Sequence, residues 1–253
     1  MKQKQKSIRS KLYPLAALAV IVLVWQMATY FEWVPGFMLP SPGQVGAAFC
    51  SEFPALLSHS YVTLQEAFLG LGLGIALSLI LAILMDRFSI LDHSVYPLLV
   101  ISQTIPVIAI APLLVLWMGY GIAPKVTLVL LVCFFPMTVG LLGGLRSADP
   151  DAIRLLQAMG ANRLQILRHV KLPAASNAFF SGLKIAVSYS VVGAVIAEWL
   201  GGDAGLGVYM TRVRKAYAFD KMFAVIFLVI LISLCLMWLV RRIERTTTKG
   251  KEE

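Results

Sequence analysis

Charge is scarce in this chain. Only 14% of its 253 residues are Asp, Glu, Lys or Arg, against about 25% in an ordinary soluble domain. That is too little charge to cover a water-facing surface, and the apolar content is too high for disorder. Cysteine and histidine are equally sparse. Cys50, Cys133 and Cys235 are scattered, and so are His59, His93 and His169. With no CxxC pair and no His or carboxylate cluster beside them, they exclude a disulfide framework and a zinc site, leaving the cysteines as small apolar residues. No Gly-x4-Gly-Lys-Ser/Thr loop occurs, so the chain cannot cradle ATP itself. Nor do the apolar stretches carry the paired acids or Ser–Lys dyad that a membrane-embedded enzyme needs. Its 12 prolines and 19 glycines are ordinary in number and rule out collagen-like or low-complexity sequence.

What is abundant is apolar sequence: 59% hydrophobic residues and a mean hydropathy of +0.82. A membrane helix needs about 20 predominantly apolar residues. Six such stretches are present, at Leu12–Tyr30, Tyr61–Met85, Val95–Met118, Val126–Leu145, Ala178–Leu200 and Met222–Val240. The expected fold is therefore an all-α integral membrane protein with six transmembrane helices. The first stretch is too long for a signal-peptide core and has no small-x-small cleavage site, so it reads as an uncleaved span. Everything outside the spans is expected to be connector.

The net charge of +9 reads first as topology, not as nucleic-acid binding. Lys2, Lys4, Lys6, Arg9 and Lys11 precede span one, and Arg87 follows span two. Arg146, Arg154, Arg163, Arg168 and Lys171 lie in the connector 146–176, and Arg241, Arg242, Arg245, Lys249 and Lys251 in the tail. These segments share one side and hold sixteen of the 22 basic residues, which places both termini in the cytoplasm. Lys125 and the cluster Arg212, Arg214, Lys215 and Lys221 fall on the other side. The cluster reads as an interfacial helix reaching lipid headgroups. The division is then a single transmembrane domain over 1–253: tail 1–11, spans one to four within 12–145, cytoplasmic loop 146–176, spans five and six within 177–240, and tail 241–253.

The connectors carry finer signals. Ser41-Pro42 resembles a helix start. In the loop 146–176, Asp149-Pro150-Asp151 starts a helix and Gly160 ends it. Asn162 caps a second helix that Pro173 is expected to close. Two amphipathic helices, 150–159 and 162–171, bent at Gly160, would lie on lipid or dock into a partner's groove. Asp86 and Asp92 read as solvated caps of a cytoplasmic turn. Gly70-x3-Gly74 in span two reads as a close helix contact, as does Gly143-Gly144. Gly201-Gly202 with Gly205-x-Gly207 reads as a flexible outer bend.

One pattern in that loop is specific. Arg154-Leu155-Leu156-Gln157-Ala158-Met159-Gly160, nine residues, then Val170-Lys171-Leu172-Pro173 resembles the EAA loop of binding-protein-dependent ABC transporter permeases. Arg154 stands where the family's Glu is usual, and Leu155-Leu156 where its alanines are. Further similarity to the nitrate/sulfonate/taurine-type branch lies in Leu39-Pro40-Ser41-Pro42, in Gln103-Thr104-Ile105-Pro106-Val107-Ile108-Ala109-Ile110-Ala111-Pro112-Leu113, in Trp117-Met118-Gly119-Tyr120-Gly121, and in Ala197-Glu198 with Gly205-Leu206-Gly207.

That resemblance implies a MetI-like permease bundle with a cytoplasmic coupling-helix hairpin, in a prokaryotic inner membrane. It implies a cytoplasmic ATPase dimer that binds the ATP, a second permease copy as a homodimer, and an extracytoplasmic substrate-binding protein. No nucleic acid and no directly bound cofactor or metal are expected. Arg154, Leu155, Leu156, Gln157, Met159, Gly160, Leu164, Val170, Leu172 and Pro173 would form the ATPase-coupling surface, with Gly160 sparing a Cβ clash at the bend. The substrate class it implies is small: sulfonate, nitrate, taurine or a thiamine-precursor pyrimidine.

Polar residues inside apolar spans usually face an interior. Ser102, Gln103 and Thr104 in span three and Ser188 in span five are the candidate translocation path, with interhelical hydrogen bonding as the alternative. Glu198 is a further candidate, as gate or binding-protein contact, against simple interfacial solvation. Lys184 is expected to snorkel. A secondary ion-coupled transporter is the rival function, though no internal repeat supports it.

Overall fold

The computed structural model describes the backbone of residues 2–248 and the side chains of residues 13–247. The side chains of Lys2, Lys4, Lys6, Arg9 and Lys11, and all of Lys249 and Lys251, lie outside the described residues. The described chain is helical: α1 (Lys2–Tyr30), α2 (Pro42–Ser51), α3 (Phe53–Arg87), α4 (Ser89–Ser102), α5 (Val107–Met118), α6 (Ile122–Arg146), α7 (Pro150–Ala158), α8 (Arg163–Ile166), a π-turn (Leu167–Lys171), α9 (Leu172–Leu200), α10 (Leu206–Lys215) and α11 (Phe219–Thr248).

Five helices are long and apolar enough to cross a membrane by themselves: α1 from Tyr13, α3, α6, α8 continued through the π-turn into α9, and α11. The sixth expected span is not one rod. Residues 95–118 form parts of α4 and α5, which meet at 103°, so the continuous third span is replaced by a bent pair, with the geometry of a broken span or of a re-entrant loop. The cause is local. Pro106 has no N–H and disfavours helix at the residue before it. The chain crosses 103–106 as tight turns, Thr104 N–H donating to the Ile101 carbonyl and Ile105 N–H to that of Ser102.

The chain divides into two compact units. The smaller comprises residues up to 57 with 209–228. Ser41 caps α2 in the expected way, reinforced by a reciprocal bond with Gln44. Trp25 stacks on Phe223 and Phe227, and its indole N–H donates to the Pro40 carbonyl at 3.0 Å. Val45, Ala48 and Ala224 form the small core beneath.

The larger unit, 58–208 with the chain from 229 onward, holds the main core. α6 and α9 pack together along most of their length, burying Val129, Cys133, Met137, Val187, Val191 and Ala194 among others. Small residues permit this. A Cβ on Gly70 would lie 2.5 Å from that of Val129, and one on Gly74 would press on Cys133, so the Gly70-x3-Gly74 stripe faces α6 as expected. Gly144 abuts Ala175 and Ala178, whereas Gly143 faces open space. A second cluster around Ala82, Met85, Leu141, Leu142 and Leu145 closes the end nearest α7.

Candidate functional site

Three features of the larger unit stand out. The first is the hairpin 149–171. Asp149 Oδ1 accepts from Asp151 N–H at 2.9 Å, with Pro150 next in the chain. The Asn162 carboxamide oxygen accepts from Gln165 N–H, and Gln165 returns the bond to Asn162 N–H, so both helix starts stand where the sequence puts them. Gly160 turns the chain with φ +80, but nothing lies within 4 Å of where a Cβ would be. The expected steric clash is therefore absent, and the left-handed backbone is what asks for glycine. Pro173 does not close the second helix. The ladder widens into the π-turn and runs on into α9, where Pro173 sits in the first turn and needs no donor.

Leu155, Met159 and Leu164 are 63%, 73% and 71% exposed. Arg154 and Gln157 are exposed as well, while Leu156, Val170, Leu172 and Pro173 are half-buried and Ile166 is buried. Large apolar side chains held in water at a bend cost free energy unless something covers them. Beside them a cleft of 530 Å³ is lined by Ile83, Asp86, Arg87, Ile153, Gln157 and Lys171 among others. Asp86 is no solvated cap: both its oxygens accept from Lys171 Nζ, at 2.8 and 2.7 Å. Asp92 pairs likewise with Arg146. These bonds fasten the start of α9 to α3, and α6 to α4.

The second feature is a cavity of 260 Å³ at the break between α4 and α5. Ser102, Gln103, Ile105, Phe135, Pro136 and Tyr189 are among its walls, and no charged side chain lines it. Ser102 Oγ donates to the Leu99 carbonyl at 2.6 Å, while the Gln103 amide and the Tyr189 hydroxyl, also of lining residues, have no hydrogen-bond partner among the described residues. The structure thus brings Ser102 and Gln103 together but not the rest of the expected path. Thr104 donates to the Ile101 carbonyl, and Ser188 donates to that of Lys184. Lys184, expected to snorkel, pairs with Glu244 at 2.9 Å. Tyr189, one residue beyond Ser188, reaches the cavity instead.

The third feature has no counterpart in the sequence reading. Glu66, Lys125 and Glu198 are 2%, 6% and 2% exposed. Lys125 Nζ donates to Glu66 Oε1 at 2.7 Å, so Lys125 is a buried partner and not a topological marker. Glu198 Oε1 accepts from the Thr63 hydroxyl at 2.7 Å, and its Oε2 accepts from Gly207 N–H. Neither a surface contact for a binding protein nor interfacial solvation describes it, because both oxygens are spent on buried donors. The legible signal was Glu66 itself, a lone carboxylate in an apolar span, which requires an internal partner.

On the smaller unit, Glu52 accepts from Lys221 Nζ and from the Tyr209 hydroxyl. The bond from Lys221, then that from Tyr209, holds its carboxyl below the ordinary range. Lys221 is thus tied to protein, whereas Arg214 and Lys215 of the same basic cluster are exposed as expected. Among the described residues no group of three or more His, Cys, Asp or Glu could hold a metal ion.

Residues 74–249 match the family described as binding-protein-dependent transport system inner membrane component. A probable ABC transporter permease protein of Haemophilus influenzae is 41% identical, over 91% of this chain and 96% of its own length. The formylaminopyrimidine transport permease protein ThiX of Halalkalibacterium halodurans is 36% identical, over 92% of this chain and 93% of its own. Among solved structures, a chain of the MetNI methionine ABC transporter in an inward-facing conformation superposes with a TM-score of 0.67. It covers 78% of this chain and 97% of that one at 19% identity, a likeness of fold.

Proposed function

Since this chain belongs to the binding-protein-dependent inner membrane components, as a non-catalytic permease subunit of an ABC importer in the nitrate, sulfonate, taurine and thiamine-precursor branch, we propose that it passes an uncharged nitrogen heteroaromatic of the thiamine-precursor pyrimidine type. The observation that carries this is the cavity at the α4/α5 break. Its polar face is the Gln103 amide with the Ser102 hydroxyl, its walls include Phe135 and Tyr189, and no cation lines it. A carboxamide matches the donor–acceptor edge of a pyrimidine, and aromatic rings match its faces. A sulfonate or nitrate at the same place would lie in apolar surroundings without a counter-charge, which is costly. The pyrimidine transported by the relative ThiX supports the same class.

Energy enters through the partner ATPase. Leu155, Met159 and Leu164, with Arg154, Gln157 and the bend at Gly160, are its docking surface in this reading. Leu156, Val170, Leu172 and Pro173 join that surface to α9 as a lever. Closure of the ATPases favours one of two arrangements of the spans through differential contacts. A second copy of this chain completes the path as a homodimer, and both termini lie in the cytoplasm by the bias of the basic residues.

Proteoliposomes holding the permease, its ATPase and its binding protein test the substrate. Labelled formylaminopyrimidine is expected to accumulate with internal ATP, to persist when the proton gradient is collapsed, and to fall roughly tenfold in Gln103→Leu, the order expected for one lost buried hydrogen bond. Accumulation of taurine with exclusion of the pyrimidine would overturn the substrate class. Loss of uptake on collapsing the gradient would favour the ion-coupled carrier.

A further inference from the structure

Three consecutive backbone amides at the start of α10, Gly205 just before it and Leu206 and Gly207 in its first turn, are each held by a side chain. Gly205 N–H donates to His59 Nδ1 at 3.0 Å, Leu206 N–H to Thr63 Oγ1 at 2.9 Å, and Gly207 N–H to Glu198 Oε2. His59 and Thr63 stand one turn apart on α3, and Glu66 follows three residues on, so one face of α3 presents all three. The Thr63 hydroxyl accepts from Leu206 N–H and donates to Glu198 Oε1. Glu198 therefore joins α3 to the first turn of α10, beyond the loop that follows its own helix. The start of that loop is held on α6: a Cβ on Gly202 would lie 2.8 Å from Lys125 Nζ, whose charge is taken by Glu66. Gly205 has φ +117 and no room for a side chain beside the Glu198 carboxylate, and a Cβ on Gly207 would drive into the Val195 carbonyl. This segment is pinned, and the flexible bend expected of its glycines is not what forms.

Stability alone is a poor reason for such an arrangement. Well-packed apolar residues often serve as well as a buried ion pair, whereas removing one partner is strongly unfavourable, and the best-attested use of buried charge is to specify one arrangement out of several. The site also lies far from the ATPase-facing hairpin: Glu66 is about 30 Å along α3 from Arg87 at 1.5 Å per residue.

We infer that Glu198, Thr63 and the Glu66–Lys125 pair are positioning residues of the transport cycle, locking the ends of α3, α6 and α9 remote from the coupling hairpin, together with the 201–207 loop, into one rigid element. The inference rests on the importer reading above. The lock makes the binding-protein side of the permease respond as a body, so that docking there is relayed to the hairpin. Without it the loop yields locally, and binding-protein docking no longer accelerates ATP hydrolysis.

The test uses the assembled transporter, with Glu198→Gln and Thr63→Val compared against wild type and against Thr63→Ser, which keeps the hydroxyl. Amide exchange of peptide 201–208 is followed by mass spectrometry, beside basal and binding-protein-stimulated ATP hydrolysis. Glu198→Gln and Thr63→Val are expected to exchange roughly tenfold faster in 201–208, as for loss of a local opening barrier, with 154–171 unchanged. Their basal hydrolysis stays at the wild-type rate and the stimulation disappears, while Thr63→Ser behaves as wild type. Unchanged exchange overturns the inference, as does faster exchange with wild-type stimulation. If Glu198→Gln does not assemble, Thr63→Val, which keeps Glu198 and its bond from Gly207 N–H, carries the comparison; failure of both to assemble assigns the cluster to folding and overturns the proposal. A wild-type complex that no binding protein stimulates counts against the importer reading instead, and exchange then decides the lock by itself.

Discussion

Glu52 shows how one residue changes its meaning with its neighbours. In the sequence it is an unremarked acid between α2 and α3; in the structure it takes hydrogen bonds from Lys221 and the Tyr209 hydroxyl. Because its carboxyl is held below the ordinary value, the folded state binds its proton less readily than the unfolded chain does. Its contribution is therefore present above the unfolded value of 4.5 and is lost as pH falls through the lower, folded one. Glu52→Gln is expected to lower the melting temperature in detergent at pH 7, with the gap to wild type closing as the pH is taken below 4.5. A gap independent of pH would show that the bonds, and not the charge, matter. The same lesson holds for Lys125, Asp86 and Asp92, which look like ordinary membrane-edge charges in the sequence. Their partners are 59, 85 and 54 residues away, beyond the reach of any local pattern.

At the scale of elements, local chemistry was a good guide wherever it is self-contained. The starts at Ser41, Asp149 and Asn162 and the stop at Gly160 all rest on hydrogen bonds or dihedrals within a few residues, and all are found. The element errors came from prolines, whose outcome depends on what else can absorb the missing donor. Pro106 breaks span three into α4 and α5, while Pro173 is accommodated by a π-turn that lets the helix continue. That continuity is mechanically useful, because it joins the hairpin to α9 without a loose linker. Proline at position 160 would be incompatible with φ +80, and Met159→Asp would place a charge on an exposed apolar anchor. Both variants are expected to insert normally yet fail to co-purify with the ATPase, with uptake falling at least roughly tenfold, as for loss of a central interface anchor. Normal co-purification of both would remove the hairpin from the coupling role.

For the molecule as a whole, the proposed orientation makes a simple demand. Cys50 is exposed on α2, in the connector after the first span, which the bias of the basic residues proposes to be extracytoplasmic. A membrane-impermeant maleimide is expected to label Cys50 in intact spheroplasts. The same reagent should spare a cysteine introduced at Arg168 until the membrane is opened; the reverse pattern would invert the topology.

Composition and local order were sufficient for the class of molecule. Scarce charge and apolar runs of membrane length require helices in lipid, since no water is there to satisfy the backbone, and the Gly, hydrophobic and Leu-Pro spacing after Arg154 marked the loop proposed to meet the ATPase. What only the tertiary structure decided is which polar groups meet. Whether Gln103 faces a cavity while Thr104 and Ser188 turn back to their own backbones depends on the 103° break. Whether Glu198 is a surface contact or a buried clamp depends on α3 and α6 bringing Thr63, Glu66 and Lys125 to it. A buried charge must find a partner because lipid and protein interior offer no other solvation. The sequence states that need, and only the packing of distant helices shows how it is met.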